Sequence, residues 1–269
     1  LRSDRLGCYG YPRATSPEID ELAKEGVLFE DCTSQAPWTM QSMPSLLAGR
    51  YLTQHRNWPD QAHVLLAEQF QRAGYATIGA SANDLLTSEL QYDRGFDEYD
   101  ASSLPNEVDK PFDVLVKDFL PKLDALHAKR REKPVFVYLR PFERQFPYPE
   151  LHEVAVQLPT DETEPVRPDG WQAAEVARRG APAPANDPGW ANELVGLRHQ
   201  RGLYDQEVRF TDRELGAFLD ALRARGLLDN AVVAIVSDHG EGLWEHVNKA
   251  GAEKLATLGP NGFFFAGHA

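Results

Sequence analysis

The chain has 269 residues, of which 42% are hydrophobic and 10% aromatic, a composition typical of a folded globular protein with a sizeable core. Lys and Arg total 28 against 41 Asp and Glu, so the net charge of −13 argues against a general nucleic-acid binder or a protein that binds anionic membranes. No apolar run approaches the roughly 20 residues of a membrane-spanning helix. Cys8 and Cys32 are too few for a disulfide framework, and such cysteine usage suits the cytoplasm and is compatible with the periplasm.

The first predicted elements are a short capped helix and a short strand. Thr15 and Glu18 have the spacing of a capping box, and Pro17 suits the first turn of a helix. Gly26 is expected to follow the last helical residue. Residues 27–29, with the sequence VLF, then favour an extended, strand-like conformation.

Helices and apolar strands then alternate along the chain. Helices are predicted at 43–47, 61–73, 112–129 and 208–222. Glycines at 49, 74 and 226 follow the first, second and last of these helices. Buried strands are predicted at 75–80, 134–139 and 231–236. The last of these, AVVAIV, is an unbroken apolar run of the kind buried on both faces of a parallel sheet. The alternation predicts an α/β fold with a mostly parallel central sheet flanked by helices on both faces.

Residues 151–190 differ from the rest because they are rich in proline and poor in periodic apolar residues. Their prolines are Pro159, Pro165, Pro168, Pro182, Pro184 and Pro188. We expect a surface excursion from a single domain that spans residues 1–269. Since the chain begins at Leu1 and ends without a polar taper, we also expect this domain to be truncated at both ends.

The first candidate site is the sequence SDHGE at 237–241, directly after the predicted strand at 231–236. Ligands of open α/β sheets bind beyond the carboxyl ends of the strands, so Asp238 and His239 are placed where both could face a metal. A carboxylate with an imidazole suits Zn or Mn better than Ca. An N-cap aspartate beside an incidental histidine explains this motif about equally well.

The second candidate site is PWTMQSMPSLLAGR at 37–50, where hydroxyl groups precede an apolar helix. The free N–H groups at a helix N-terminus favour a bound anion such as phosphate or sulfate. The commoner role for Thr39 or Ser42 in such a place is to cap the helix, and the segment alone favours capping.

The two sites together, in their order along the chain, resemble the sulfatase family of the alkaline-phosphatase-like superfamily. The resemblance rests on LRSDRLGCYGY at 1–11, SPEIDELAKEGV at 16–27, PWTMQSMPSLLAGRY at 37–51, YDQEV at 204–208 and SDHGE at 237–241. It covers nearly the whole chain apart from the proline-rich segment. The family fold that it implies agrees with the α/β prediction made from the residues.

The resemblance implies roles for individual residues. Thr39 stands where sulfatases carry the cysteine that becomes formylglycine, and would be the nucleophile. Asp238 and His239 stand at metal ligands, so the resemblance implies one divalent metal (Mn, Zn or Ca) held by them and by Thr39. His268 resembles a family histidine near the substrate anion that could assist the leaving group. The first acidic metal ligands of the family precede the segment that starts this chain, and Asp4, which does not align with them, is expected to be structural.

The sequence also departs from the family pattern. The formylglycine signal needs Pro and Arg two and four residues after the modified residue, but this chain has Gln41 and Met43. No formylglycine is therefore expected at Thr39. The family's Lys-x-His after the second strand is not visible, and Gln145 replaces a family histidine and is not a proton donor at neutral pH.

Three hypotheses follow. The first is a metal-dependent hydrolase of sulfate or phosphate esters, acting on a small-molecule, glycan or lipid anionic ester, with phosphodiesterase-like chemistry at Thr39. The second is a phosphoethanolamine- or phosphoglycerol-type transferase, because such relatives use threonine as nucleophile. The third is a non-catalytic, degenerate family member, favoured by Gln145 and the missing Lys-x-His. A lack of stoichiometric bound metal would favour the third, and unchanged hydrolysis by Thr39→Ala would exclude Thr39 as the nucleophile.

Overall fold

The computed structural model describes residues 1–51, 58–59, 62–101, 111–141, 158, 160 and 188–243, with the backbone alone at 188–197 and 200. The chain divides into two compact units. The first unit comprises Leu1–Glu30, Pro147–Phe210 and His239–Ala269, and the second comprises Asp31–Phe146 and Thr211–Asp238. None of the helices in the described part of the chain is both long and apolar enough to cross a membrane.

The described elements are five helices and three strands, preceded by two 3₁₀ turns at Ser3–Arg5 and Gly7–Tyr9. The helices are α1 (Pro17–Glu25), α2 (Thr39–Ala48), α3 (Leu66–Arg72), α4 (Phe112–Lys129) and α5 (Pro188–Arg223). The strands are β1 (Ala76–Ser81), β2 (Glu98–Asp100) and β3 (Val135–Arg140). The predicted helix at 43–47 is the carboxyl-terminal half of α2, which ends before Gly49 in the left-handed conformation as expected.

The second unit contains a parallel sheet with the strand order β2-β1-β3. β1 is the central strand of the three, and every one of its residues is buried. It pairs in parallel with β3 from Ala76↔Val135 to Ser81↔Arg140. The parallel α/β prediction is therefore confirmed, as are the strands predicted at 75–80 and 134–139, although the second of these was expected to be buried and β3 is only partly buried.

Helices cover both faces of this sheet. On one face, apolar residues of β1 pack against α4 and the end of α5; the buried residues are Ala76, Ile78, Ala80, Ala82, Leu115, Phe119, Leu123, Leu126, Phe218 and Leu222. On the other face, Phe70 of α3 stacks on Phe136 with 4.2 Å between ring centroids. Gly79 of β1 allows this second core to form, because a Cβ there would lie 2.8 Å from the ring of Phe96.

The first unit is built around a buried ionic cluster. The carboxylate of Asp205, on α5, is fully buried and accepts hydrogen bonds from Tyr11 and Arg13. Arg5 lies 3.5 Å from the same carboxylate and donates to the hydroxyl of Tyr11. Two guanidinium groups therefore offset the cost of burying one carboxylate, and they tie the first turns of the chain to α5.

Two predicted strands are wrong. Residues 231–236 lie outside the sheet that the described residues form, and Val232 is 97% exposed. Residues 27–29 are likewise not in a strand, and Val27 and Phe29 are 81% and 68% exposed. Both predictions rested on apolar composition, but a strand also needs a neighbouring backbone to pair with, and neither segment pairs with β1, β2 or β3.

The predicted capping box at the start of α1 is also wrong. Ser16 is the N-cap residue, and the hydroxyl of Thr15 donates instead to the carbonyl of Arg5 at 2.5 Å. The proline-rich excursion at 151–190 lies almost entirely outside the described residues. It stays a prediction, as does the single domain.

Candidate active site

Thr39 is the first residue of α2, and its side chain is 5% exposed. The helix begins there because Trp38 is extended and its carbonyl accepts the first helical hydrogen bonds, from the amides of Gln41 and Ser42. The N-terminus of a helix carries a partial positive charge, which stabilises a nearby anion. The hydroxyl of Thr39 is thus held where negative charge is favoured.

Ser42, the other hydroxyl considered at this helix, is used within the helix itself. Its Oγ donates to the carbonyl of Trp38 at 3.0 Å, one turn earlier. This back-bonding satisfies the buried hydroxyl locally. Thr39 is therefore the better candidate for chemistry in this segment.

Arg140 connects Thr39 with Asp238. Its Nη2 donates to Thr39 Oγ1 at 3.2 Å and to Asp238 Oδ2 at 2.9 Å. The side chains of Arg140 and Asp238 are 13% and 14% exposed, so water screens this ion pair only partly. The second unit therefore brings together Thr39 Oγ1 and Asp238 Oδ2, which lie in segments about two hundred residues apart. The distance between these oxygens is no greater than the sum of the lengths of their two hydrogen bonds to Arg140.

The position of Arg140 follows from the alternation of side chains along β3. Val137 and Leu139 pack on the α4 side of the sheet, whereas Phe136 and Tyr138 contact the aromatic core beneath α2 and α3. Arg140 is two residues after Tyr138, so its side chain lies on the same face of β3 as Tyr138, where it donates a hydrogen bond to Thr39. A charged side chain therefore stands at the carboxyl end of β3, the sheet edge where α/β proteins bind their ligands.

One buried and two partly buried tyrosines lie beneath this charged group and stay neutral. Burial raises the pKa of Tyr138, although the nearby charge of Arg140 lowers it in part. Burial also raises the pKa of Tyr92 and Tyr99. Phenols with raised pKa values are poor bases and poor nucleophiles near neutral pH, so these three do not compete with Thr39 for that role.

His239 follows Asp238 in the chain but is assigned to the first unit. Its ring is 7% exposed, and Nδ1 lies 2.6 Å from the carbonyl oxygen of Gly240. Since a carbonyl only accepts hydrogen bonds, Nδ1 is the donor in this contact, and in the neutral imidazole Nε2 then carries the lone pair. A histidine fixed in this tautomer is suited to bind a metal through Nε2.

Asn83 and Asp4 have structural partners, and the other residues singled out from the sequence lie outside the described part. Asn83 is buried, and its Oδ1 accepts the amide of Leu85 at 2.8 Å, which is a turn role. Asp4 pairs with Arg2 at 2.6 Å, in agreement with a structural role. His268 and Gln145 lie outside the described residues.

The donor set of the site fits a cation with oxygen ligands. Asp238 Oδ2 and Thr39 Oγ1 both face one positive group, the guanidinium of Arg140. Two oxygens that face one cation are donors that a divalent metal could also use. Within the described residues no three His, Cys, Asp or Glu side chains form a metal-binding group.

Arg140 is the site residue that the sequence analysis missed. The signal was present, because PVFVYL was predicted as a buried strand and Arg140 is the first residue beyond it. A charge at the carboxyl end of a buried parallel strand points to the ligand-binding edge.

Comparisons with known proteins bear on the family and the fold of this chain. The N-acetylgalactosamine-6-sulfatase of Canis lupus familiaris is 26% identical over 294 residues, covering 97% of this chain and 52% of the relative. A phosphonate monoester hydrolase of Agrobacterium radiobacter has a similar structure, with a TM-score of 0.67 and 19% identity over 91% of this chain and 62% of that chain. The C-terminal periplasmic domain of phosphoethanolamine transferase EptC from Campylobacter jejuni superimposes with a TM-score of 0.54 and 14% identity, over 84% of this chain and 61% of that one.

These likenesses at low identity show a shared fold, and the chain spans about half the length of the canine relative. The family model described as Sulfatase matches residues 1–262, which is nearly the whole chain. The motifs at 37–51 and 237–241 that carried the resemblance both lie inside that match. The chain therefore belongs to the sulfatase family, as its sequence implied.

Proposed function

We propose that the protein to which this chain belongs is a hydrolase of sulfate or phosphate esters that uses Thr39 as its nucleophile. The observation that supports this most directly is the meeting of Thr39 Oγ1 and Asp238 Oδ2 on Arg140. A hydroxyl, a carboxylate and a guanidinium at the edge of a parallel sheet suit the transfer of a tetrahedral anion. Family membership supports the same reaction class.

The residues of this chain have separate roles in the proposed reaction. Thr39 Oγ1 gives up its hydroxyl proton to water and attacks the sulfur or phosphorus; a new ester bond forms to Thr39, and the bond to the leaving alcohol breaks. Water then cleaves the ester of Thr39 and restores the hydroxyl. Arg140 and the N-terminus of α2 stabilise the negative charge on the non-bridging oxygens during both steps.

Two further residues complete the proposed site. Asp238 and His239 would hold the divalent metal (Mn, Zn or Ca) on which the sulfatase family depends, with Thr39 as a third ligand. When bound, the metal favours the deprotonated form of the threonine hydroxyl and offsets charge on the anion. His268 is proposed to give a proton to the leaving alcohol. Thr39 is proposed to act unmodified, because Gln41 and Met43 replace the residues of the formylglycine signal.

The test compares Thr39→Ala with Ser42→Ala in the full-length protein. Both remove a buried hydroxyl from α2, but the Ser42 hydroxyl bonds only to helix carbonyls in the described contacts, those of Trp38 and Thr39. We expect Thr39→Ala to lower kcat on aryl sulfates, aryl phosphates and aryl phosphodiesters by at least about a thousandfold, the scale of nucleophile removal. Ser42→Ala should keep turnover within about threefold, since it lies outside the proposed chemistry.

The products decide between hydrolysis and transfer. The structural likeness to a phosphoethanolamine transferase favours transfer as the second candidate function. Turnover with an added alcohol acceptor, such as glycerol, should release free sulfate or phosphate if water is the acceptor. Products that carry the group on glycerol would instead support the transferase. Full turnover by Thr39→Ala would reject both candidates.

A further inference from the structure

We propose that Arg140 is a resident counter-ion of Asp238 that competes with the divalent metal, and that it passes to the anionic group of the substrate once the metal occupies Asp238 and Thr39. The inference rests on the proposed function, because it concerns the same site. It adds a coupling between metal binding and oxyanion binding that a single side chain would transmit.

The first step of the argument is that Arg140 already occupies the oxygens a metal would need. One nitrogen, Nη2, contacts both Asp238 Oδ2 and Thr39 Oγ1. The ion pair is about one-eighth exposed on each side, so solvent screens it weakly. A second cation on the same oxygens would repel the guanidinium, and the two cations therefore compete.

The second step is that a displaced Arg140 has a natural alternative partner. Guanidinium is a planar fork of five donors that matches the oxygens of sulfate and phosphate, and it stays charged at all working pH values. Its Nη2 lies 3.2 Å from the oxygen proposed to attack, so an anion bound for reaction at Thr39 would be next to it. The N-terminus of α2 adds positive potential at the same point.

The third step is thermodynamic. If the metal releases Arg140 from Asp238, and the released Arg140 binds the anion, then metal and anion each strengthen the binding of the other through Arg140. Couplings of this kind commonly change affinities by about 5- to 150-fold. Replacing the charge of Arg140, or its partner Asp238, should therefore change a binding constant even when no substrate turns over.

The main test measures binding of inorganic phosphate to metal-free, full-length protein by isothermal titration calorimetry. Asp238→Asn keeps the shape of the side chain but removes its charge, which releases Arg140. We expect this variant to bind phosphate at least about tenfold more tightly than the unmodified protein. The double variant Asp238→Asn with Arg140→Gln should lose that gain, because the released guanidinium carries it.

A second measurement follows free Mn²⁺ by electron paramagnetic resonance during titration of the protein without phosphate. Arg140→Gln should bind Mn²⁺ at least about tenfold more tightly, whereas Arg140→Lys should stay within about threefold. The matched control is Arg94→Gln, which removes another partly buried arginine of the second unit, paired with Glu68 at 2.9 Å. It should leave the Mn²⁺ affinity unchanged.

Each result bears on the inference alone. Equal or weaker phosphate binding by Asp238→Asn, or a gain that survives in the double variant, would overturn it. So would unchanged or weaker Mn²⁺ binding by a folded Arg140→Gln. The Thr39→Ala assay tests the proposed function separately, since a protein without turnover can still show this coupling and an active enzyme can lack it.

Discussion

The hydroxyl of Tyr138 gives a sharp test of how the floor of the proposed site is built. It is buried, and no hydrogen-bond partner for it exists among the described residues. Burial raises the pKa of Tyr138, so the group remains a neutral phenol. A buried hydroxyl without a partner costs about 1–3 kcal/mol. Tyr138→Phe keeps the ring and removes this cost, so the free energy of unfolding should stay unchanged or rise by about 1 kcal/mol.

Tyr99 is the matched control, because it is a tyrosine of the same aromatic core whose pKa is also raised by burial. Its hydroxyl donates to the carbonyl of Leu86 at 2.7 Å. Tyr99→Phe should therefore lower the free energy of unfolding by about 0.5–1.5 kcal/mol. Urea denaturation followed by circular dichroism measures both variants from their midpoints. An equal loss in Tyr138→Phe would refute the reasoning, since its hydroxyl would then have a partner.

Two further substitutions test the cores of the two units by the same denaturation assay. Asp205→Asn should lower the free energy of unfolding by about 3–5 kcal/mol, because Arg5 and Arg13 lose their buried counter-charge. A change as small as that expected for an exposed pair, below about 1 kcal/mol, would contradict the buried cluster. Gly79→Ala should cost about 1–3 kcal/mol, since its Cβ would meet Phe96 at 2.8 Å. Adding Phe96→Leu should recover part of that loss, and no recovery would place the strain elsewhere.

The elements that the sequence predicted well are those that carry a clear local pattern, whatever the distance along the chain to their partners. The strands at 75–80 and 134–139 were found because each is apolar and bounded by turn residues, and they pair directly as β1 and β3. Gly49 marked the end of α2 because its left-handed conformation is rarely adopted by other residues. β2 was missed because it has only three residues, which is too short to show a periodic pattern.

The failed strand at 231–236 shows what composition leaves out. AVVAIV reads as a buried strand, yet Val232 is 97% exposed and Val236 is 56% exposed. Apolar side chains favour burial, but the position of a strand is set by the backbone that pairs with it. No local pattern in the sequence specifies that partner. The residues after this stretch nevertheless bring Asp238 to Arg140, so the site prediction was less sensitive to the error than the fold prediction.

The alternation of side chains along β3 explains why the charge of the site lies at position 140 and not at a neighbouring position. Val137 and Leu139 are required on the α4 face, and Tyr138 on the opposite face, so alternation leaves Arg140 facing Thr39. A shift of β3 by one residue would turn Leu139 toward Thr39 and drive the guanidinium into the apolar core. Burying an unpaired charge there would cost far more free energy than the hydrogen bonds of the site contribute. The packing of the sheet therefore fixes which side chain can bridge the nucleophile and the carboxylate.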